Sequence, residues 1–288
     1  MPYICHFYEA SSFNKLSNSI YMYFKEVILS VLFVFTIIFS GAAQYTESEP
    51  IMNQKVFKKF IRNHIEYPEY DLKKGIQGTV KIKFTTNMNG VVTNSHILQS
   101  VSPGIDSAAL ALFNLIIWKP ATSIGRPIED SSEFRIKYNI KNFRQVTKRR
   151  GYKHILPPTI TADSSNTIFT QDKINIKPQS ILKSPYKSLN QYIYENLTYP
   201  DAALKLGLSG DVTLAFVIEK SGLPSNIVAK KQLGGGCTEE AIRIVESIKW
   251  KPGVLNNKTV RTYYHLTIKF KKNENSDIAI PNQQGSGI

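Results

Sequence analysis

Cysteine is nearly absent. Of 288 residues only Cys5 and Cys237 are cysteines, and Cys5 lies upstream of an apolar run at residues 27–39, in a part expected to be missing from the mature protein. One remaining thiol closes no internal bridge, so a disulfide framework is excluded. Histidine is scarce too. His6, His64, His96, His154 and His265 fall at no helical or hairpin ligand spacing of one another or of Cys237, so the sequence predicts no metal site. No lysine of the phosphate-loop type accompanies Gly234-Gly235-Gly236-Cys237, which reads as a turn before a helix. No cofactor is implied. The apolar run is shorter than the ~20 residues a membrane-spanning helix needs. Acidic residues are outnumbered, 22 Asp and Glu against 36 Lys and Arg, for a formal charge of +14. That balance points to an anionic partner (nucleic acid, lipid headgroups or an acidic protein face), or to solubility alone.

What is present near the start is an export pattern. Lys25 precedes the apolar run, and Gly41-Ala42-Ala43-Gln44 follows it with the small residues a signal peptidase accepts. The pattern favours cleavage near Ala43 over retention as an inner-membrane anchor through residues 27–43. No cysteine follows the run to carry a lipoprotein anchor. Residues 1–21 push the run away from the terminus, so Met22 reads as a better start than Met1. Residues 1–44 are therefore expected to be an N-terminal extension plus signal, and the mature chain to be exported. With 42% hydrophobic and 20% charged residues, the rest is globular material sufficient for two domains.

Those two domains repeat each other. Tyr67-Pro68, Gly75, Gly78, Phe84, Gly90 and Trp118-Lys119-Pro120 return as Tyr199-Pro200, Gly207, Gly210, Phe216, Gly222 and Trp250-Lys251-Pro252, at a constant offset of 132 residues. A gapless repeat of this kind means two copies of one folded unit. Val56, Phe57, Phe60, Ile61 and Ile65 in the first copy, and Leu189, Tyr192, Ile193 and Leu197 in the second, have helical spacing. A short helix carrying Leu72 or Leu204 follows Tyr-Pro and stops at Gly75 or Gly207. Alternation from Gly78 to Phe84, Asn89-Gly90 as a tight turn (Ser221-Gly222 in the second copy) and a returning strand make a hairpin. Asp106 and Thr238 sit at one equivalent position as expected N-caps of a second helix. Trp-Lys-Pro ends that helix, which makes Trp118 and Trp250 expected core anchors. A last strand follows. The expected class is α+β, an antiparallel three-stranded sheet packed against helices, in tandem. The expected boundaries are 53–143 for copy 1, 144–187 for a basic, proline-containing linker, 188–272 for copy 2 and 273–288 for a disordered tail. The linker cluster Arg144, Lys148, Arg149, Arg150, Lys153 and His154 reads as solvated, with a strand docked near Ile174-Asn175-Ile176.

Tyr-Pro, then Gly-x-x-Gly-x-Val-x-x-x-Phe, a turn glycine, Trp-Lys-Pro and a terminal strand, in this order and twice, resembles the TonB C-terminal domain family over about residues 60–143 and 192–272. The resemblance implies a periplasmic, non-enzymatic energy transducer between an inner-membrane motor complex and outer-membrane receptors. In that family the receptor's N-terminal peptide adds as a strand beside the last strand of the domain. Carried over by position, the partner-binding edges are Phe134, Ile136, Tyr138 and Ile140 in copy 1, and Tyr264, Leu266, Ile268 and Phe270 in copy 2. Tyr67, Pro68, Tyr199 and Pro200 are carried over as partner-proximal. Two departures stand out. The apolar run holds no histidine, and only a short segment with one proline, Pro50, separates it from the first helix. Direct coupling to the motor is thereby put in doubt. The expectation is a protein binding TonB-dependent receptor peptides or other envelope proteins in support of transmembrane transport, with an envelope adaptor as the alternative and a homodimer left open. No acid pair or nucleophile–base pair recurs in both copies, so no enzyme is expected. Nucleic acid is disfavoured by export and by aromatics in core phase.

Overall fold

The computed structural model describes residues 25–28, 45–150 and 161–271. The expected signal segment, apart from the helical residues 25–28, lies outside the described residues, as do the tail, Lys153 and His154. Among the described residues no helix is long and apolar enough to cross a membrane.

Copy 1 opens with β1 (Tyr45–Thr46) and β2 (Glu49–Pro50), then α1 (Gln54–His64) and α2 (Glu69–Lys74). Asn53 starts α1 by accepting from the Val56 N–H, and the left-handed Gly75 stops α2. β3 (Gly78–Thr86) and β4 (Val92–Gln99) form the predicted hairpin, and α3 (Pro103–Phe113) returns across it. β5 (Trp118–Lys119), β6 (Ala121–Ser123), β7 (Arg126–Ile128) and β8 (Asp130–Tyr138) complete the unit. The main sheet has the order β4-β3-β8, antiparallel throughout. Its inner face buries Val80, Ile82, Phe84 and Ile136 against Val56, Phe60, Ile105, Ala109 and Phe113. Trp118 seals the end of this layer, 4.4 Å from Phe84 between ring centres, and is buried as an anchor should be.

Copy 2 repeats this plan with β11 (Gln179–Ile181), α5 (Leu189–Asn196), α6 (Asp201–Lys205), β12 (Gly210–Ile218), β13 (Pro224–Lys231), α7 (Cys237–Ser247), β14 (Lys249–Lys251), β15 (Gly253–Leu255) and β16 (Lys258–Phe270). The recurring residues do the same work in both units. The Tyr67 hydroxyl donates to the Ile76 carbonyl at 2.5 Å, and Tyr199 donates to Leu208. Tyr67 meets Tyr138 edge-on and Tyr199 meets Phe270 in the same way. Gly90 and Gly222 have positive φ, and a Cβ there would stand 2.4 Å from the Trp118 carbonyl oxygen or 2.1 Å from that of Trp250. Only glycine admits that approach of turn to strand.

The structure departs from expectation at four places. Asp106 and Thr238 are not N-caps: Ser102 caps α3 through the Ile105 N–H, and the left-handed Gly236 begins α7 without a side-chain cap. Asp106 and Thr238 instead fasten the preceding loop, accepting from the backbone N–H of Val101 at 3.0 Å and of Leu233 at 3.0 Å. Those two amides are also 132 apart, so the shared position keeps one task through two chemistries. Second, each copy begins earlier than its first helix. β2 pairs with β5 and β11 pairs with β14, while β1 joins β6 and Ile176 bridges Val254. These arms differ in spacing between the copies, which hid them from a gapless comparison. Third, the connector is not an extended linker at its start. It opens with α4 (Ile140–Arg150), because the Asn139 side chain accepts from the Asn142 N–H at 3.0 Å and Phe143 packs 5.2 Å from Tyr67. Fourth, Ile140 therefore leaves the strand and starts that helix.

The two copies touch. Lys59 of α1 pairs with Glu246 of α7 at 2.8 Å. The Ile117 N–H donates to Asn226 at 2.9 Å, and Asn226 returns a bond to the Leu115 carbonyl at 2.8 Å.

Candidate partner-binding edges

β8 is held on one side only. β3 pairs with it over its whole length, from Gly78 opposite Tyr138 to Thr86 opposite Asp130. No strand among the described residues lies on its other side. Its side chains alternate: Ser131, Glu133, Arg135 and Lys137 are exposed, Phe134 is half-buried, and Ile136 and Tyr138 are buried. Of the residues carried over as partner-binding, Ile136 and Tyr138 thus give their side chains to the core and only their backbone to the rim. An unpaired row of N–H and C=O groups is what an extended segment completes. Burial pushes the Tyr138 hydroxyl far above the ordinary tyrosine value, so it stays neutral.

β16 is a different case. β12 pairs with residues 262–270 and β15 with residues 258–260 on one side. On the other side the connector adds two short parallel strands, β9 (Thr161–Ala162) beside Lys258 and Thr259, and β10 (Ile168–Phe169) beside Arg261 and Thr262. Among the described residues the outer rim of copy 2 is therefore closed at 258–262 and open from Tyr263 to Phe270. Tyr264 and Leu266 are half-buried, Ile268 and Phe270 buried. Burial raises the Tyr264 hydroxyl above its usual value.

The connector is fixed by charge. Arg261 and Glu219 form a bidentate ion pair at 2.8 and 2.9 Å, each side chain 3% exposed. The same guanidinium donates to the Asn166 carbonyl of the connector at 3.0 Å and to the Leu115 carbonyl of copy 1 at 2.8 Å. Lys220 donates to the Asp163 and Ser165 carbonyls, both at 2.6 Å, and burial lowers its pKa although Asp163 opposes that effect. Composition did not reveal this network. Glu219-Lys220-Ser221-Gly222 looks like any solvated turn, and only its difference from Asn87-Met88-Asn89-Gly90 at the matching turn was a signal.

The partner-proximal residues are spent internally. Tyr67 is buried and clasped to Ile76, and Pro68 and Pro200 start α2 and α6. Tyr199, Pro68 and Pro200 keep part of their surface. Cys237 is fully buried and burial raises its thiol, a combination that suits packing rather than nucleophilic chemistry.

The family described as Gram-negative bacterial TonB protein C-terminal matches the chain twice, over residues 63–140 and 195–271. An NMR solution structure of the C-terminal domain of Helicobacter pylori TonB is similar at 23% identity, covering 31% of this chain and 98% of that one, with a TM-score of 0.23. No curated protein matches the chain.

Proposed function

The chain belongs to the Gram-negative bacterial TonB protein C-terminal family, in two tandem copies, and on that premise we propose that it is an exported envelope protein that binds extended peptide segments of outer-membrane receptors by strand addition, in support of transmembrane transport. The observation that carries the reading is the rim of β8, nine residues long and unpaired on its outer side among the described residues. Membership in the family supports a role in envelope transport. The open part of β16, residues 263–270, is a second and shorter rim. Affinity comes from backbone hydrogen bonds, and selectivity from the alternate side chains of the incoming strand.

Site-directed disulfide capture tests this. Lys137→Cys places a thiol on the free rim, and Lys258→Cys places one where β9 already lies; both side chains are exposed. Cysteine-bearing peptides copied from the periplasmic N-termini of receptors are expected to crosslink at position 137 and not at 258. Equal capture at both positions, or none at 137, contradicts the reading.

A second reading, an envelope adaptor without direct motor coupling, is favoured by one observation. Residues 27–39 and the first strand at Tyr45 are separated only by residues 40–44, a reach of at most ~18 Å when extended. Deletion of the gene separates the two. Loss of receptor-substrate uptake favours the transport role, and unchanged uptake with an altered envelope favours the adaptor.

A further inference from the structure

We infer that the rim of β8 accepts an extended segment with an acidic C-terminal end, its carboxylates seated over the basic face of α4. The inference rests on the strand-addition reading above and names the chemistry of its partner.

A single residue, Asn139, separates the end of β8 from the start of α4. Lys141, Arg144 and Lys148 stand on one face of this helix, at spacings of three and four. With Gln77, Asn139 and Gln145 they line an open depression of about 570 Å³ where β8 ends. All three cations are exposed, and none forms an ion pair among the described residues. The sheet continues the charge. Arg135 and Lys137 point to the solvent face of β8, and Lys81 lies opposite Arg135 on β3. Glu133 and Arg135 pair with each other at 3.2 Å, so Lys137 and Lys81 are the cations that extend the charge. A strand added beside β8 sends alternate side chains over this face and meets α4 at its end.

Copy 2 supplies the direction. The connector strands that close β16 run parallel to it, Ile168 beside Arg261 and Phe169 beside Thr262. A segment running the same way along β8 points its C-terminal end at α4. Lipid headgroups would satisfy the cations but leave the row of backbone groups unpaired, so a peptide uses more of what the surface offers.

The test is fluorescence anisotropy on the full exported chain with dye-labelled synthetic peptides. They share one alternating Thr-Val core and end in glutamates, glutamines or lysines. Further peptides carry the glutamates at the N-terminal end, or carry N-methyl groups on the core that block the ladder. The peptide with C-terminal glutamates is expected to bind about tenfold more tightly than the glutamine form, the gain of a few exposed ion pairs. The preference should vanish in Lys141→Gln/Arg144→Gln/Lys148→Gln, whose changes are all at exposed positions, while glutamine-peptide binding persists. Equal binding of all charge forms, or of glutamates at either end, overturns this inference and leaves strand addition standing. Full binding of the N-methylated acidic peptide, or binding to anionic phospholipid vesicles with no peptide bound, overturns both. Binding of no peptide does the same.

Discussion

At the same turn of the same hairpin, copy 1 carries Asn87 and copy 2 carries Glu219. Asn87 looks after its own turn, its side chain accepting from the N–H groups of Asn89 and Val91 at 2.9 and 3.0 Å. Glu219 is buried, and its carboxylate holds Arg261, which in turn holds the connector and the Leu115 carbonyl of the other copy. Position 129, which matches Arg261 by the offset of 132, is a glutamate outside any such pair. One duplicated unit thus carries two different surfaces. Copy 1 leaves the outer side of its last strand unpaired among the described residues. Copy 2 spends the start of its last strand, 258–262, on a segment of its own chain and on contact with its twin. A duplicated fold with equal cores need not have equal surfaces. The fold is set by glycines, tyrosines and tryptophans that recur, and the surfaces differ through charged residues that do not.

Breaking the buried pair has the largest expected effect. Arg261→Ala strands the Glu219 carboxylate out of water and cuts both carbonyl contacts, a loss of about 3–5 kcal/mol; Glu129→Ala, at the matching position of copy 1, should stay within about 0.5 kcal/mol. Denaturant unfolding of the two variants reads the difference. Replacing both partners with apolar residues, Arg261→Met with Glu219→Leu, should recover most of the stability, since the cost lies in the orphaned charge.

Next come changes that should strike both copies alike. Gly90→Ala and Gly222→Ala each force a methyl group onto a tryptophan carbonyl oxygen in a positive-φ turn, at about 2–3 kcal/mol apiece. A large gap between the two thermal shifts would show that the copies are not built on one plan at this turn. Tyr67→Phe and Tyr199→Phe remove one hydroxyl-to-carbonyl bond each and should cost about 1 kcal/mol each.

The smallest effect is pH-dependent and centres on Glu240 of copy 2, which is largely buried, unlike the exposed Glu69 that Lys73 lowers in copy 1. Burial raises the Glu240 carboxyl, but Arg243 at 2.7 Å and the Thr198 N–H at 2.6 Å outweigh it, and its pKa ends below the ordinary glutamate value. A carboxyl with a depressed folded value contributes stability that is present above its unfolded pKa and is lost as pH falls through the folded one. Copy 1 has Ala108 there. Below the usual glutamate range copy 2 should therefore weaken first, by under about 1 kcal/mol, and Glu240→Gln should flatten that slope in acid-unfolding curves.

The core was legible in the sequence because packing leaves a periodic trace. Val80, Ile82 and Phe84 alternate, Val56 and Phe60 are four apart, and Trp118 and Trp250 follow their helices as buried anchors, although each lies in a short strand beyond the helix rather than at its end. The rims were legible only through the resemblance and in outline: Ile136, Tyr138, Ile268 and Phe270 are apolar because they face inward, which says nothing about what the backbone beside them meets. The helix at the start of the connector leaves little trace in the sequence for a physical reason. Arg144 and Lys148 lie on the solvent side of α4, whereas the residues that fix it are few: Asn139 caps it locally and Phe143 packs on the distant Tyr67. Asp106 and Thr238 show the same limit. A cap residue and a loop clasp use the same side chains, and only the direction of the bond distinguishes them.

Amide hydrogen exchange of the full chain, with and without peptides from receptor N-termini, addresses the central claim most directly. Strand addition predicts new protection across Asp130–Tyr138, weaker protection at 263–270 and no change at 258–262, where the connector already occupies the rim. Peptide binding that leaves exchange across Asp130–Tyr138 unchanged would contradict it.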